Sequence, residues 1–138
     1  MGLLVISANY YYMQVYYTSV TTAALGTAGP LKSEIYAFYI KNGYWPNTKD
    51  FKRISDYLGD DKTVSQIEIE KGSFHLHLRK DINLLGGKVL SFRKAESKQQ
   101  LDAPLWWVCG YSKIPEGMTA NVSNKTNINK KYLQRICQ

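Results

Sequence analysis

The first 31 of the 138 residues contain no Asp, Glu, Lys, Arg or His, and the first charge in the chain is Lys32. The same stretch also lacks a long apolar run, because Ser7, Asn9 and the tyrosines at 10, 11, 12, 16 and 17 interrupt it. A membrane-spanning helix needs about 20 predominantly apolar residues, so the segment as it stands does not span a bilayer. No basic residue precedes Leu3, which removes the reading as a cleavable secretory signal. Histidine occurs only at 75 and 77, far from the two cysteines at 109 and 137, so no metal-ligand spacing arises. Gly86-Gly87-Lys88 lacks the strand, spacing and following helix of a phosphate loop. No nucleophile, base and orienting group stand in a recognisable arrangement, so the chain reads as a non-enzyme with no cofactor.

What is present is sufficient for one folded domain: 44% hydrophobic residues and 13% aromatics in 138 positions support a core. The net charge of +7 bears on partners and solubility, not on fold. Two cysteines in a chain with no other thiol are compatible with one bridge in an oxidising compartment, or with two reduced thiols in a cytosol.

The neutral segment reads as a helix. Small residues (Ala23, Ala24, Gly26, Ala28) permit close packing, and Ile35, Phe38 and Tyr39 continue it on one face. Pro30 predicts a bend and not a break. Asn42-Gly43 followed by Pro46 predicts a left-handed cap and a stop. A helix over residues 3–41 is about 57 Å long at 1.5 Å per residue, longer than a small domain is wide, so its first half is expected to project. A projecting uncharged helix marks an interface, and the expected packing face comprises Leu3, Leu4, Ile6, Val20, Ala24 and Leu25.

A connecting loop follows over residues 44–63, anchored by Phe51, Ile54, Tyr57 and Leu58, with Asp60-Asp61 as a solvated turn. Residues 64–70 and 74–78 alternate between apolar and polar and flank Gly72, which predicts a β-hairpin. Residues 88–93 and 105–110 supply a third and a fourth strand. The fold class is therefore α+β: a long, kinked N-terminal helix laid across a four-stranded antiparallel sheet. The alternation places His75 and His77 opposite Phe74, Leu76 and Leu78, on the solvent side. The chain divides into an assembly helix (1–43), the loop (44–63) and the sheet with its tail (64–138), within a single domain.

The order of motifs resembles the type IV pilins. Tyr39-Ile40-Lys41-Asn42-Gly43-Tyr44-Trp45-Pro46 is similar to the helix–sheet junction of that family, Gly87-Lys88-Val89-Leu90-Ser91 to one of its strands, and Trp107-Val108-Cys109-Gly110 to its cysteine-bearing strand. Residues 127–133 running to Cys137 are similar to its terminal segment. The likeness spans nearly the whole chain and is nearest to the neisserial-like major pilins. It implies a disulfide between Cys109 and Cys137 that closes a C-terminal surface loop, and a filament with helices in the centre and sheets outside. Three features depart from the pattern. The family's initial phenylalanine and glutamate are missing, so Met1-Gly2-Leu3-Leu4 reads as a helix entered partway. Leu133-Gln134 replaces the usual Leu-Pro, and the body is rich in lysine.

The resemblance implies a non-catalytic subunit on the bacterial surface, reached through the inner membrane and periplasm. The full-length parent would be membrane-anchored before assembly. Its partners would be other pilin subunits, the inner-membrane assembly machinery, and DNA or a host surface, with roles in adhesion, twitching motility or DNA uptake. A DNA-binding competence minor pilin is one alternative. Its candidate contacts are Lys88, Arg93, Lys94, Lys98, Lys125, Lys130, Lys131 and Arg135, for which binding through phosphates would be salt-dependent. A pseudopilin of a type II secretion system is another, against which the two cysteines count. The sequons at Asn121 and Asn124 read as chance in a polar loop.

Overall fold

The computed structural model describes residues 2–58, 63–99 and 105–138, with side chains from Ala8 onward; Leu3, Leu4 and Ile6 as packing residues and the turn at Asp60-Asp61 lie outside what is described. Helix α1 runs Gly2–Asn42 without a break at Pro30. Gly26, whose carbonyl proline leaves without a donor, is exposed together with Gly29 and Pro30. The helix ends at Gly43, whose φ of 79° suits glycine and whose N–H donates to the Tyr39 carbonyl at 2.8 Å. Tyr17, Val20, Thr21, Ala24, Thr27, Ala28, Leu31 and Ile35 are buried. Their three- and four-residue spacing makes one continuous stripe along the helix.

That stripe packs on a sheet of β1 (Val64–Glu70), β2 (Ser73–Leu78), β3 (Val89–Ser97) and β4 (Trp106–Cys109) in the order β1-β2-β3-β4. The sheet is antiparallel throughout. A three-residue strand, β5 (Met118–Ala120), also pairs with β3; it is too short for periodicity to reveal. Phe74, Leu76 and Leu78 from β2 and Leu90 and Phe92 from β3 join Leu31 and Ile35 in one core, each aliphatic side chain contributing about 1.5–3 kcal/mol on full burial. Phe74 and Phe92 stack with centroids 4.9 Å apart, and Trp107 tilts against Phe74 at 5.6 Å. Lys32, the first charge, lies over the rings of Phe92 and Trp107 at 5.1 and 5.9 Å, and burial lowers its pKa.

The loop after α1 docks on the edge of the hairpin. Thr48 Oγ1 accepts the Ile69 N–H at 2.8 Å and donates to the Ile69 carbonyl at 3.1 Å; Pro46 O and Asn47 Oδ1 accept the N–H groups of Gly72 and Lys71. Phe51, Ile54, Tyr57 and Leu58 pack against the core. Lys71 and Gly72 both have positive φ, 49° and 84°, as a two-residue hairpin turn requires. A Cβ at Gly72 would stand 2.7 Å from the Trp45 ring, which is itself stacked on Tyr39 at 4.1 Å.

The outer face of the sheet departs from expectation: His75 does not face solvent but is completely buried, as are Ser73 and Ser91, and His77 is half-buried, because the C-terminal tail covers that face.

Gly72→Ala therefore meets both a disfavoured backbone region and a fixed aromatic ring. Urea denaturation is expected to show a loss of about 1–3 kcal/mol at unchanged m-value.

Candidate functional site: an uncharged helix face and a disulfide strap

In the turns before the buried stripe begins at Tyr17, α1 exposes Tyr10, Tyr11 and Tyr12, at 64, 72 and 69%, together with Met13, Val15 and Tyr16; Tyr11 and Val15 lie opposite the stripe, and Tyr10 and Met13 continue its line. Gln14, Val15, Thr18, Ser19 and Thr22 line a shallow depression on the same helix. No ionisable side chain except the tyrosines interrupts this surface before Lys32. The residues expected to form the packing face divide differently. Val20 and Ala24 belong to the chain's own core, and Leu25 packs against it. The helix carries apolar residues on both sides, so the sequence alone does not tell inner face from outer.

At the other end of the chain, Cys109 and Cys137 form a disulfide with Cα atoms 4.6 Å apart. Gly110 follows with φ of 57°, and a Cβ there would stand 2.6 Å from the Cys137 carbonyl oxygen. Between β5 and the second cysteine the chain crosses the sheet. Asn121 is on the β2 side of β3, where it donates to the Lys71 carbonyl and accepts from Ser73 Oγ. Thr126 and Asn127 are on the β4 side, bonded to the backbone of Ser91 and Val89. Residues 121–127 thus form a strap over the outer face of β3. Beyond the strap the tail closes onto α1: Thr21 Oγ1 donates to the Tyr132 carbonyl, Gln134 to Thr22 and Gln14 to the Lys131 carbonyl, while Tyr17 packs on Tyr132 at 5.1 Å.

Under the strap lies a polar network that the sequence does not announce. Lys125 N–H donates to Ser91 Oγ at 3.0 Å. Ser91 Oγ is 2.6 Å from His75 Nδ1, and His75 Nε2 is 3.1 Å from Glu70 Oε2. The Lys125 ammonium lies 2.5 Å from Glu68 Oε1 and 3.8 Å from Glu70 Oε2, which raises its pKa and lowers that of Glu68. Serine, histidine and glutamate do come together here, contrary to the sequence reading. Both Ser91 and His75 are fully buried, however, and Ser91 already accepts the strap's N–H. Glu68, Glu70 and His75 also bring ligand atoms within 4.8 Å of one another, and the chain's own ammonium is the cation beside the two carboxylates. The signal for this cluster was the Glu-x-Glu opposite His-x-His pairing of β1 and β2; what it lacked was Lys125, distant in sequence.

The eight basic candidates scatter. Lys94 is buried, paired with Glu96 at 2.6 Å and seated over Trp45 at 4.3 Å. Arg93 has a buried Nε without a hydrogen-bond partner, and burial lowers its pKa. Lys125 is held by the two glutamates. Lys98 is exposed beyond the end of β3, and Arg135 is exposed in the last turn. Only Lys88 and Lys131 meet, around a basin floored by Leu85 and Tyr132. Lys131 also lies 5.9 Å from the Tyr10 ring centroid, and the neighbouring Lys130 lies 5.5 Å from that of Tyr111.

Among the described residues, no helix is long and apolar enough to cross a membrane. A family model described as Pilin (bacterial filament) matches residues 18–138. No curated protein matches the chain.

Reducing the disulfide frees the closed end of the strap. On loop-entropy grounds the loss is about 3–4 kcal/mol, measured as the drop in urea midpoint with and without reductant; an unchanged midpoint contradicts the stabilising role.

Proposed function

The chain belongs to the pilin family of bacterial filament subunits, and from that premise we propose that it builds a type IV pilus through the outward face of α1. Membership makes it a structural pilus subunit that assembles with other pilin subunits into an extracellular filament. The observation that carries the finer reading is the surface formed by Tyr11, Tyr12, Val15 and Tyr16, which is exposed in the single chain and lies in a stretch of α1 without a charged residue. Contiguous apolar surface of this kind is stable only when covered, and a second α1 offers the same chemistry. A charged group in a filament core has no counter-ion along residues 1–31, so its absence there is what close helix packing requires.

The Gly-Lys-x-Leu-Ser and Trp-x-Cys-Gly motifs support placement near the neisserial-like major pilins. The tail closed by Cys109 and Cys137 favours a pilin over a type II secretion pseudopilin. Attachment of a longer parent chain to the inner membrane and its assembly machinery follows from the same reading, as do adhesion and twitching motility as roles of the filament.

A second reading, DNA contact, is favoured by one observation: Lys88 and Lys131 share a basin, with Tyr10, Tyr111 and Tyr132 close to Lys130 and Lys131. Cations interleaved with aromatic rings suit phosphates and bases. Arg93, Lys94 and Lys125 are not part of that surface.

Val15→Asp, introduced in the chromosomal gene, is expected to abolish surface filaments while the purified chain keeps its thermal midpoint; normal filaments in that variant overturn the packing proposal. For DNA, an electrophoretic shift at low salt that Lys88→Ala with Lys131→Ala removes is expected, with affinity falling steeply as salt rises; no shift at low salt rejects it.

A further inference from the structure

The buried network beneath the strap has no part in filament packing, yet it brings both histidines of the chain together with two glutamates and a lysine from the tail. Its hydrogen-bond directions follow from its members. Lys125 N–H is a donor, so Ser91 Oγ accepts it and directs its own proton to His75 Nδ1. His75 Nε2 faces a carboxylate and therefore carries the ring proton, donating to Glu70. The neutral imidazole thus satisfies every group in the line.

We infer that residues 121–127 form an acid-released latch: protonation of His75 loosens Lys125 from the sheet, and the strap lifts between its two anchors, β5 and the disulfide. Two physical effects act together. An imidazolium must donate from Nδ1 as well, so the Ser91 hydroxyl proton loses its acceptor and has to turn away, which shifts the oxygen that holds the Lys125 N–H. The new positive charge also stands beside the Lys125 ammonium and competes with it for Glu68 and Glu70. The titratable groups facing His75 are Glu68 and Glu70 from β1 and Lys125 from the strap; His77, its neighbour along β2, lies 3.4 Å from Glu68.

Burial pushes His75 below its ordinary value of 6.5, more strongly than Glu70 and Glu68 raise it. The unfolded chain therefore takes up this proton first, so stability is intact above 6.5 and falls as pH drops from 6.5 towards the lower folded value. Glu68 is held below its ordinary 4.5, chiefly by its hydrogen bond from Lys125. Its contribution is present above 4.5 and is lost at still lower pH, whereas the loss through His75 begins already at 6.5.

The test is backbone amide exchange on the oxidised full chain, corrected for the intrinsic pH dependence of exchange. Protection at Lys125 and Asn127 is expected to fall at least about tenfold between about pH 7.5 and about pH 5, with Leu76 and Leu90 unchanged. The midpoint is expected to coincide with that of the His75 imidazole followed by NMR in the same sample. His75→Gln is expected to abolish the pH response, and His77→Gln to retain it. Protection independent of pH in the unsubstituted chain overturns the latch, as does a response that follows His77. If His75→Gln does not fold, the coincidence of the two midpoints in the unsubstituted chain decides alone. Filament formation is not read in this experiment, so its outcome is independent of the assembly proposal.

Discussion

The buried stripe of α1 from Tyr17 to Ile35 is the contact on which the other elements depend. It closes one face of a sheet whose strands are too few and too short to be stable alone, and it fixes which side of the helix remains outside. Because Leu31, Ile35, Phe74, Leu76, Leu90 and Phe92 share one core, the inward face is committed to the chain's own fold. The exposed turns before Tyr17, and the side opposite the stripe with Tyr11 and Val15, are what remain for a neighbour. On the proposed reading one helix serves both as half of the domain core, from Tyr17 to Ile35, and as the assembly surface, through its exposed earlier turns and the side away from the sheet.

The tail has a comparable double position. Its last residues grip α1 through Thr21, Thr22 and Tyr17, while the strap covers the outer sheet and the disulfide ties it to the end of β4. The sheet is consequently covered on both sides over β2 and β3, by helix within and by strap without. This is why Ser73, His75 and Ser91 are buried although they alternate away from the helix. A polar strap on a polar sheet face is held by directed hydrogen bonds and one charge cluster, where the opposite face is held by apolar area. The two faces therefore respond to different conditions: the inner to denaturant, the outer to pH and to the redox state of the cysteines.

Much of this was legible in the sequence, and the exceptions share a cause. The Asn42-Gly43 stop, the turn at Gly72, the four main strands and the fold class follow from local rules, since each depends on residues within a few positions of one another. The cysteine pairing followed from family resemblance rather than from spacing. The misplaced features depend on distant partners. His75 looked solvent-facing because its cover comes from residues about 50 positions later. Val20 and Ala24 looked like packing residues because an uncharged helix does not reveal which side its own sheet will occupy. The Ser91, His75 and Glu70 series, with Lys125 above it, joins three strands and the tail, and no local pattern encodes that meeting. β5 was too short to show a period.

The central claim is that α1 is divided between an inward face that folds the chain and an outward face that joins it to other copies. Hydroxyl-radical footprinting of the free chain and of assembled filaments tests this residue by residue. The account predicts that Tyr10, Tyr11, Tyr12 and Tyr16 are labelled in the free chain and strongly protected in the filament, with Tyr17 protected in both. Equal labelling of Tyr10, Tyr11, Tyr12 and Tyr16 in the two states would contradict it.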